Sequence, residues 1–172
     1  MDGLVRVIDA LSAFIGKAVA WLTLAMVLLT TYLVVSRYVL RENSIALQEL
    51  VLYMHAAVFM LGASWALQRD EHVRVDVFYR NASARNKAIV NIIGTLLFLL
   101  PFAATILYFS FGYAANAWRY HEGSMQAGGL PYVYVLKTLI PLFAGLLIMQ
   151  GVAELLRNIL ILQGRIVPVQ ED

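Results

Sequence analysis

Apolar positions fall into four long runs separated by short charged stretches. The first, Ala18 to Ser36, is uncharged between Lys17 and Arg37. The second runs from about Ile45 to Leu67 and carries Gln48, Glu49 and His55. The third, Ala88 to Trp118, is uncharged between Lys87 and Arg119, and the fourth, about Leu130 to Val152, carries Lys137. A bilayer core is about 30 Å thick and a helix rises about 1.5 Å per residue, so about 20 apolar residues cross it. Backbone polar groups must be satisfied internally in lipid, which makes each run an α-helix. No ten-residue alternation repeats along the chain, so a β-barrel is excluded. The pattern predicts an all-α integral membrane protein with spans at about 18–36, 45–67, 88–118 and 130–152. Segments 37–44 and 119–129 connect them on one side and loop 68–87 on the other.

The connecting pieces have patterns of their own. Residues 4–17 place Leu4, Val5, Ile8, Leu11, Phe14 and Ile15 at helical spacing, with Arg6, Asp9 and Lys17 at the edges of that face. This predicts an N-terminal amphipathic interfacial helix leading into the first span. Residues 72–78 alternate with period two. After a membrane span that pattern fits a short extended segment at the interface, with Asp76 capping a brief helix. Ser83 is a helix N-cap candidate for the third span. Gly123, Gly128, Gly129 and Pro131 mark residues 119–131 as a loop.

Composition strengthens the membrane assignment. Of 172 residues, 61% are hydrophobic and 14% charged, against roughly 45–50% and about 25% in soluble domains. A soluble fold of this size could not bury that much apolar side chain. With no cysteine, disulfides, thiolate metal sites and cysteine nucleophiles are excluded. A net charge of +2 is too balanced for a nucleic-acid binder. Charges interrupt the start of the chain and no small-residue cleavage site follows the first run, so that run is expected to be a permanent anchor. Lys and Arg decide orientation. With the N-terminus cytoplasmic, nine lie inside (Arg6, Lys17, Arg69, Arg74, Arg80, Arg85, Lys87, Arg157, Arg165) and four outside (Arg37, Arg41, Arg119, Lys137). Both termini are therefore expected inside.

Few residues carry candidate chemistry. An ionisable group in a span is costly and marks function or a partner contact. Glu49 lies about seven residues, roughly 10 Å, from the middle of its span. It reads either as an ion site or as a polar anchor between helices. Lys137 lies at similar depth, so the two could pair, each could face a partner, or the lysine could snorkel to the surface. His55 is near the midplane, on one face with Gln48, Leu52, Phe59, Gly62 and Ala66; a neutral imidazole bonded across helices is the default. A haem needs a second axial ligand, which no other span histidine supplies. Gly62 and Ala66 form a small-xxx-small pair. Pro101 and Pro141 are expected to disturb their helices, and Trp21, Tyr38, Trp65, Trp118, Tyr120 and Tyr132 form an aromatic belt. The charged loop around Arg69, His72, Arg74 and Asp76 is either a solvated turn or a docking surface. No phosphate loop, dinucleotide fingerprint, metal cluster or catalytic triad occurs, so no cofactor is expected. No internal repeat supports a self-contained carrier.

Several of these features occur together in one known family. The second span opens Gln48-Glu49-Leu50 and closes Leu61-Gly62-Ala63-Ser64-Trp65-Ala66. Arg69 and His72-Val73-Arg74-Val75-Asp76 follow. Gly129-Leu130-Pro131 precedes the fourth span, which holds Lys137 and Pro141. Over roughly residues 10–160 this resembles the small membrane subunit of tripartite ATP-independent periplasmic (TRAP) transporters. Where that family often has two adjacent acids, this chain has Gln48 and Glu49. The resemblance implies a non-catalytic subunit of the bacterial inner membrane. It implies obligate packing on the scaffold of a large elevator-type subunit driven by sodium. A periplasmic binding protein would deliver an organic acid and dock transiently. Under that reading Gln48, Glu49, His55, Gly62 and Lys137 contact the large subunit or neighbouring helices. Arg37, Arg41, Arg119 and Glu122 face the binding protein, and lipids cover the remainder. The competing expectations are a self-sufficient homo-oligomeric carrier or channel using Glu49, and a membrane anchor of a redox enzyme.

Overall fold

The computed structural model describes residues 2–69 and 83–164. The expectations placed on His72, Arg74 and Asp76, on the alternating stretch 72–78 and on the C-terminal Arg165 lie outside the described residues. Five helical segments build the fold: α1 (Asp2–Val35), α2 (Ile45–Gln68), α3 (Ala84–Gly94), α4 (Leu100–Arg119) and α5 (Val133–Leu162). A π-turn, Thr95–Leu99, joins α3 and α4 into one rod, Ala84–Arg119, and a second, Ser36–Leu40, extends α1. Four helices are thus long and apolar enough to cross a membrane. No strand occurs among the described residues.

The expected interfacial helix 4–17 and the first span are one uninterrupted helix. Its 34 residues reach about 51 Å, well beyond a bilayer core of about 30 Å. Residues 4–17 do not lie alone on a membrane surface. Val5, Ser12, Gly16 and Val19 are buried at helical spacing. At Gly16 a side chain would be driven into the indole of Trp65 on α2. Helix α5 continues ten residues past the expected Val152, to Leu162. The charged residues that seemed to end it face a polar cluster instead of water.

Local chemistry explains the helix boundaries. The Ser83 hydroxyl accepts from Asn86 N–H at 3.3 Å, the N-cap expected from sequence. Ser44 caps α2 by accepting from Leu47 N–H at 3.4 Å. Pro101 sits in the first turn of α4, immediately after the π-turn. Proline has no N–H and clashes with the carbonyl four residues back. The wider turn accommodates this, and Leu100 N–H donates to the Thr95 carbonyl five residues back. Pro141 is tolerated inside the continuous α5.

α5 is the hub, in contact with every other helix, while α1 packs mainly on α2 and α4 on α5. Among the described residues α1 and α4 share no substantial contact. α1, α2 and α5 therefore pack mutually, with α4 set against α5 and away from α1, so the bundle is open and not a closed ring. A third of the most apolar window of α5 is buried (33%), against 6% in α1 and α2. Small residues set the close approaches. Ala103, Ser110, Ala114 and Ala117 are the buried seam of α4. At Gly151 on α5 a methyl would lie 3.1 Å from Leu99 and Leu100 at the π-turn. Close approach of backbones through small residues is how helices associate where lipid removes a hydrophobic drive.

Candidate functional site

Polar side chains gather at the two ends of the bundle, along the length of its helices. At one end Glu49 sits in the second turn of α2, positioned by the Ser44 cap. One carboxylate oxygen accepts from the Ser124 hydroxyl in a short contact, and the other from Leu130 N–H at 2.7 Å. Ser124 N–H in turn donates to the Leu130 carbonyl at 2.9 Å, and Gly129 N–H to the Gln126 carbonyl at 3.0 Å. The loop between α4 and α5 is thus closed on itself and tied to α2. Two of its three glycines have clear reasons. Gly128 has φ +78°, which favours glycine. A Cβ at Gly129 would strike the Ser124 side chain and lie 2.8 Å from the Glu49 carboxylate.

Lys137 does not pair with Glu49. Its ammonium donates to Glu122 at 2.7 Å and lies 4.0 Å from the centre of the Tyr113 ring. Glu49 bonds to Ser124 and Leu130, and Lys137 to Glu122, so each has a different neighbour. Beside this pair Trp118 donates to Thr138 at 2.7 Å and stacks on Tyr134 at 4.5 Å between centroids. That end is therefore ordered up to its surface, where Arg37, Arg41 and Arg119 are exposed. Glu122, grouped with them from sequence, is held by Lys137.

The other end holds a network that sequence reasoning missed. Gln150 of α5 is fully buried. Its amide donates to Asp9 at 3.0 Å and accepts from Ser12 at 2.8 Å, both on α1. Arg157 reaches Asp9 at 2.8 and 3.1 Å and Glu154 at 2.7 Å. Asn158 donates to Glu154 at 2.7 Å and accepts from Asn91 of α3 at 3.3 Å. Three helices are joined in one network: the bonds to Asp9, Glu154 and Arg157 are charge-assisted, and so stronger than neutral ones, while the link to Asn91 of α3 is a neutral amide pair. A signal was present: 150, 154, 157 and 158 share a face of α5, as Asp9 and Ser12 do on α1. Hydropathy alone reads such residues as the end of a span.

The remaining candidates lie apart. Gln48 is exposed and donates to Asn43. His55 is exposed and makes no hydrogen bond among the described residues, so the expected bond across helices is not formed inside this chain. Gly62 serves no helix here, since a Cβ built on it meets nothing within 4 Å. The guanidinium of Arg69 covers Trp65, 4.8 Å from its ring centre. No group of three or more His, Asp or Glu residues able to hold a metal occurs among the described residues. Between the two ends the spans contain a single ionisable acid, base or imidazole, His55, and it points away from the other helices. Residues 26–160 match the family model described as tripartite ATP-independent periplasmic transporters, DctQ component. No curated protein and no solved structure matches the chain.

Proposed function

We propose that this chain, which belongs to the DctQ-component family of the tripartite ATP-independent periplasmic transporters, is the non-catalytic scaffold subunit of a sodium-driven importer of organic acids. It packs on the large elevator-type subunit and widens that subunit's fixed frame in the bilayer. Carrier sites need polar groups converging at mid-membrane. Here Glu49, Lys137, Asp9, Glu154 and Arg157 are engaged with partners near the two ends, leaving His55 by itself near mid-depth, and this observation carries the reading. Both oxygens of Glu49 accept hydrogen bonds from the α4–α5 loop, which removes the acid that a self-sufficient carrier would use. An open bundle of apolar helices suits a part that fills space between a partner and lipid.

In this reading the Asp9 end, with both chain termini, is cytoplasmic by the distribution of Lys and Arg. The Glu49 end then faces the periplasm, where Arg37, Arg41 and Arg119 meet the binding protein as it docks. Because Glu122 is held by Lys137, the three arginines give the cleaner test of docking. Reversing all three is expected to weaken uptake while the complex still assembles. Full uptake would remove the docking role.

The decisive experiment is purification by a tag on this chain, expressed with the large membrane protein encoded beside it. Recovery of that protein at one to one is expected. A stable homo-oligomer that ignores it, or transport by this chain alone in liposomes, would overturn the scaffold reading.

A further inference from the structure

The exposed positions of α2 form a single file. Gln48, Leu52, His55 and Phe59 are exposed, at spacings of four, three and four, while Glu49 to Val51, Tyr53 and Met54, Ala56 to Val58 and Met60 to Gln68 are buried or half-buried. The same line continues to Gly62, over which the space is open. His55 lies near the middle of the 24-residue helix and has no partner among the described residues. Imidazoles at that depth are rare and face a partner or water. An unbonded ring N–H in hydrocarbon has nothing to replace water. The neighbouring Leu52 and Phe59, 57% and 72% exposed, make a water-filled recess unsuitable there. Lipid tails would suit the leucine and phenylalanine but not the imidazole.

We infer that this stripe, Leu52–His55–Phe59–Gly62, is the docking face for a helix of the large membrane subunit. That helix offers a hydrogen-bonding side chain or a freed backbone carbonyl to His55 and approaches closely over Gly62. The inference rests on the scaffold reading for the identity of the partner and adds which face meets it. Chemistry selects the occupant: apolar contact above and below, one polar group at mid-depth, and a small-residue seat where backbones can touch. A second copy of this chain would set another His55 against this stripe, and the mass of the crosslinked adduct separates that occupant from the large subunit.

The test uses the complex retained by a tag on this chain. A photo-crosslinking residue replaces Leu52 or Phe59. An adduct with the mass of this chain plus the large subunit is expected at both positions. An adduct of twice this chain's mass, or no protein adduct from a complex that does co-purify, overturns the assignment. In parallel, His55→Leu is expected to lower recovery of the large subunit about three- to tenfold, the worth of one interhelical hydrogen bond in a membrane. His55→Gln, which keeps a donor and an acceptor, restores most of it. Neither variant is expected to change the thermal stability of the chain purified alone, because His55 touches nothing there. Unchanged recovery with His55→Leu overturns the role of the imidazole. If the unsubstituted chain retains no large subunit, the scaffold reading itself falls, and this partner with it.

Discussion

The two polar ends of the bundle use charge differently. At the Asp9 end side chains bond to side chains, and Asp9, Ser12, Gln150, Glu154, Arg157, Asn158 and Asn91 link α1, α5 and α3. At the Glu49 end a carboxylate instead takes a backbone N–H and a hydroxyl from one loop. The first arrangement holds rods together; the second gives a connection its shape. Polar residues in apolar helices are thus no single class, and their effect depends on whether their partner is another helix or a loop.

The largest effect is expected from Arg157→Ala, which leaves Asp9 and Glu154 without their cation. The pairs are about a quarter exposed or less, so a loss of about 2–3 kcal/mol is expected, at the low end of that for a broken buried pair. Thermal unfolding of the detergent particle would read it. An unchanged midpoint would break the comparison, since this end would then not hold the helices. Gly16→Ala comes next. It drives a methyl into Trp65 and is expected to destabilise by about 1–3 kcal/mol, as overpacking does.

Glu49→Gln is expected to lower the melting point less, since it weakens two hydrogen bonds to one loop, and to speed hydrogen exchange at Leu130 N–H. If it destabilised the whole bundle as much as Arg157→Ala, the two ends would be doing the same work. The smallest effect is expected from Lys137→Met, about 0.5–1 kcal/mol for a partly exposed pair. A double-mutant cycle sharpens the assignment. Lys137 and Glu122 should couple, and Lys137 and Glu49 should be additive within about 0.5 kcal/mol.

Much of the fold was legible. The four spans, the Ser83 cap and the loop before α5 all follow from local pattern. Two boundaries did not. α5 outran its apolar run because Glu154, Arg157 and Asn158 are satisfied by Asp9 and Asn91. The N-terminal helix runs into the first span without a break: Ser12 and Gly16 meet Gln150 and Trp65, while Leu4, Leu11 and Phe14 of its apolar face stay exposed. For the site, the depth of Glu49 and Lys137 could be counted along the helices, but their neighbours could not. The small-residue pair at Gly62 and Ala66 marked a close approach either to a neighbouring helix or to the large subunit. The structure uses Gly16 and Gly151 instead and leaves Gly62 open.

By itself the sequence determined how many helices are apolar enough to cross, and that an even number of crossings returns both ends of the bundle to one side. These follow from hydrophobicity summed residue by residue against the fixed thickness of a bilayer. Only the tertiary structure decided that α5 is the hub, that Glu49 holds the loop at Leu130, and that Lys137 belongs to Glu122. It alone decided that Ser12 meets Gln150 across 138 positions. Periodicity places a side chain on a face of its own helix. Which helix stands opposite, and at what rotation, depends on how all of them pack together, and no local pattern carries that.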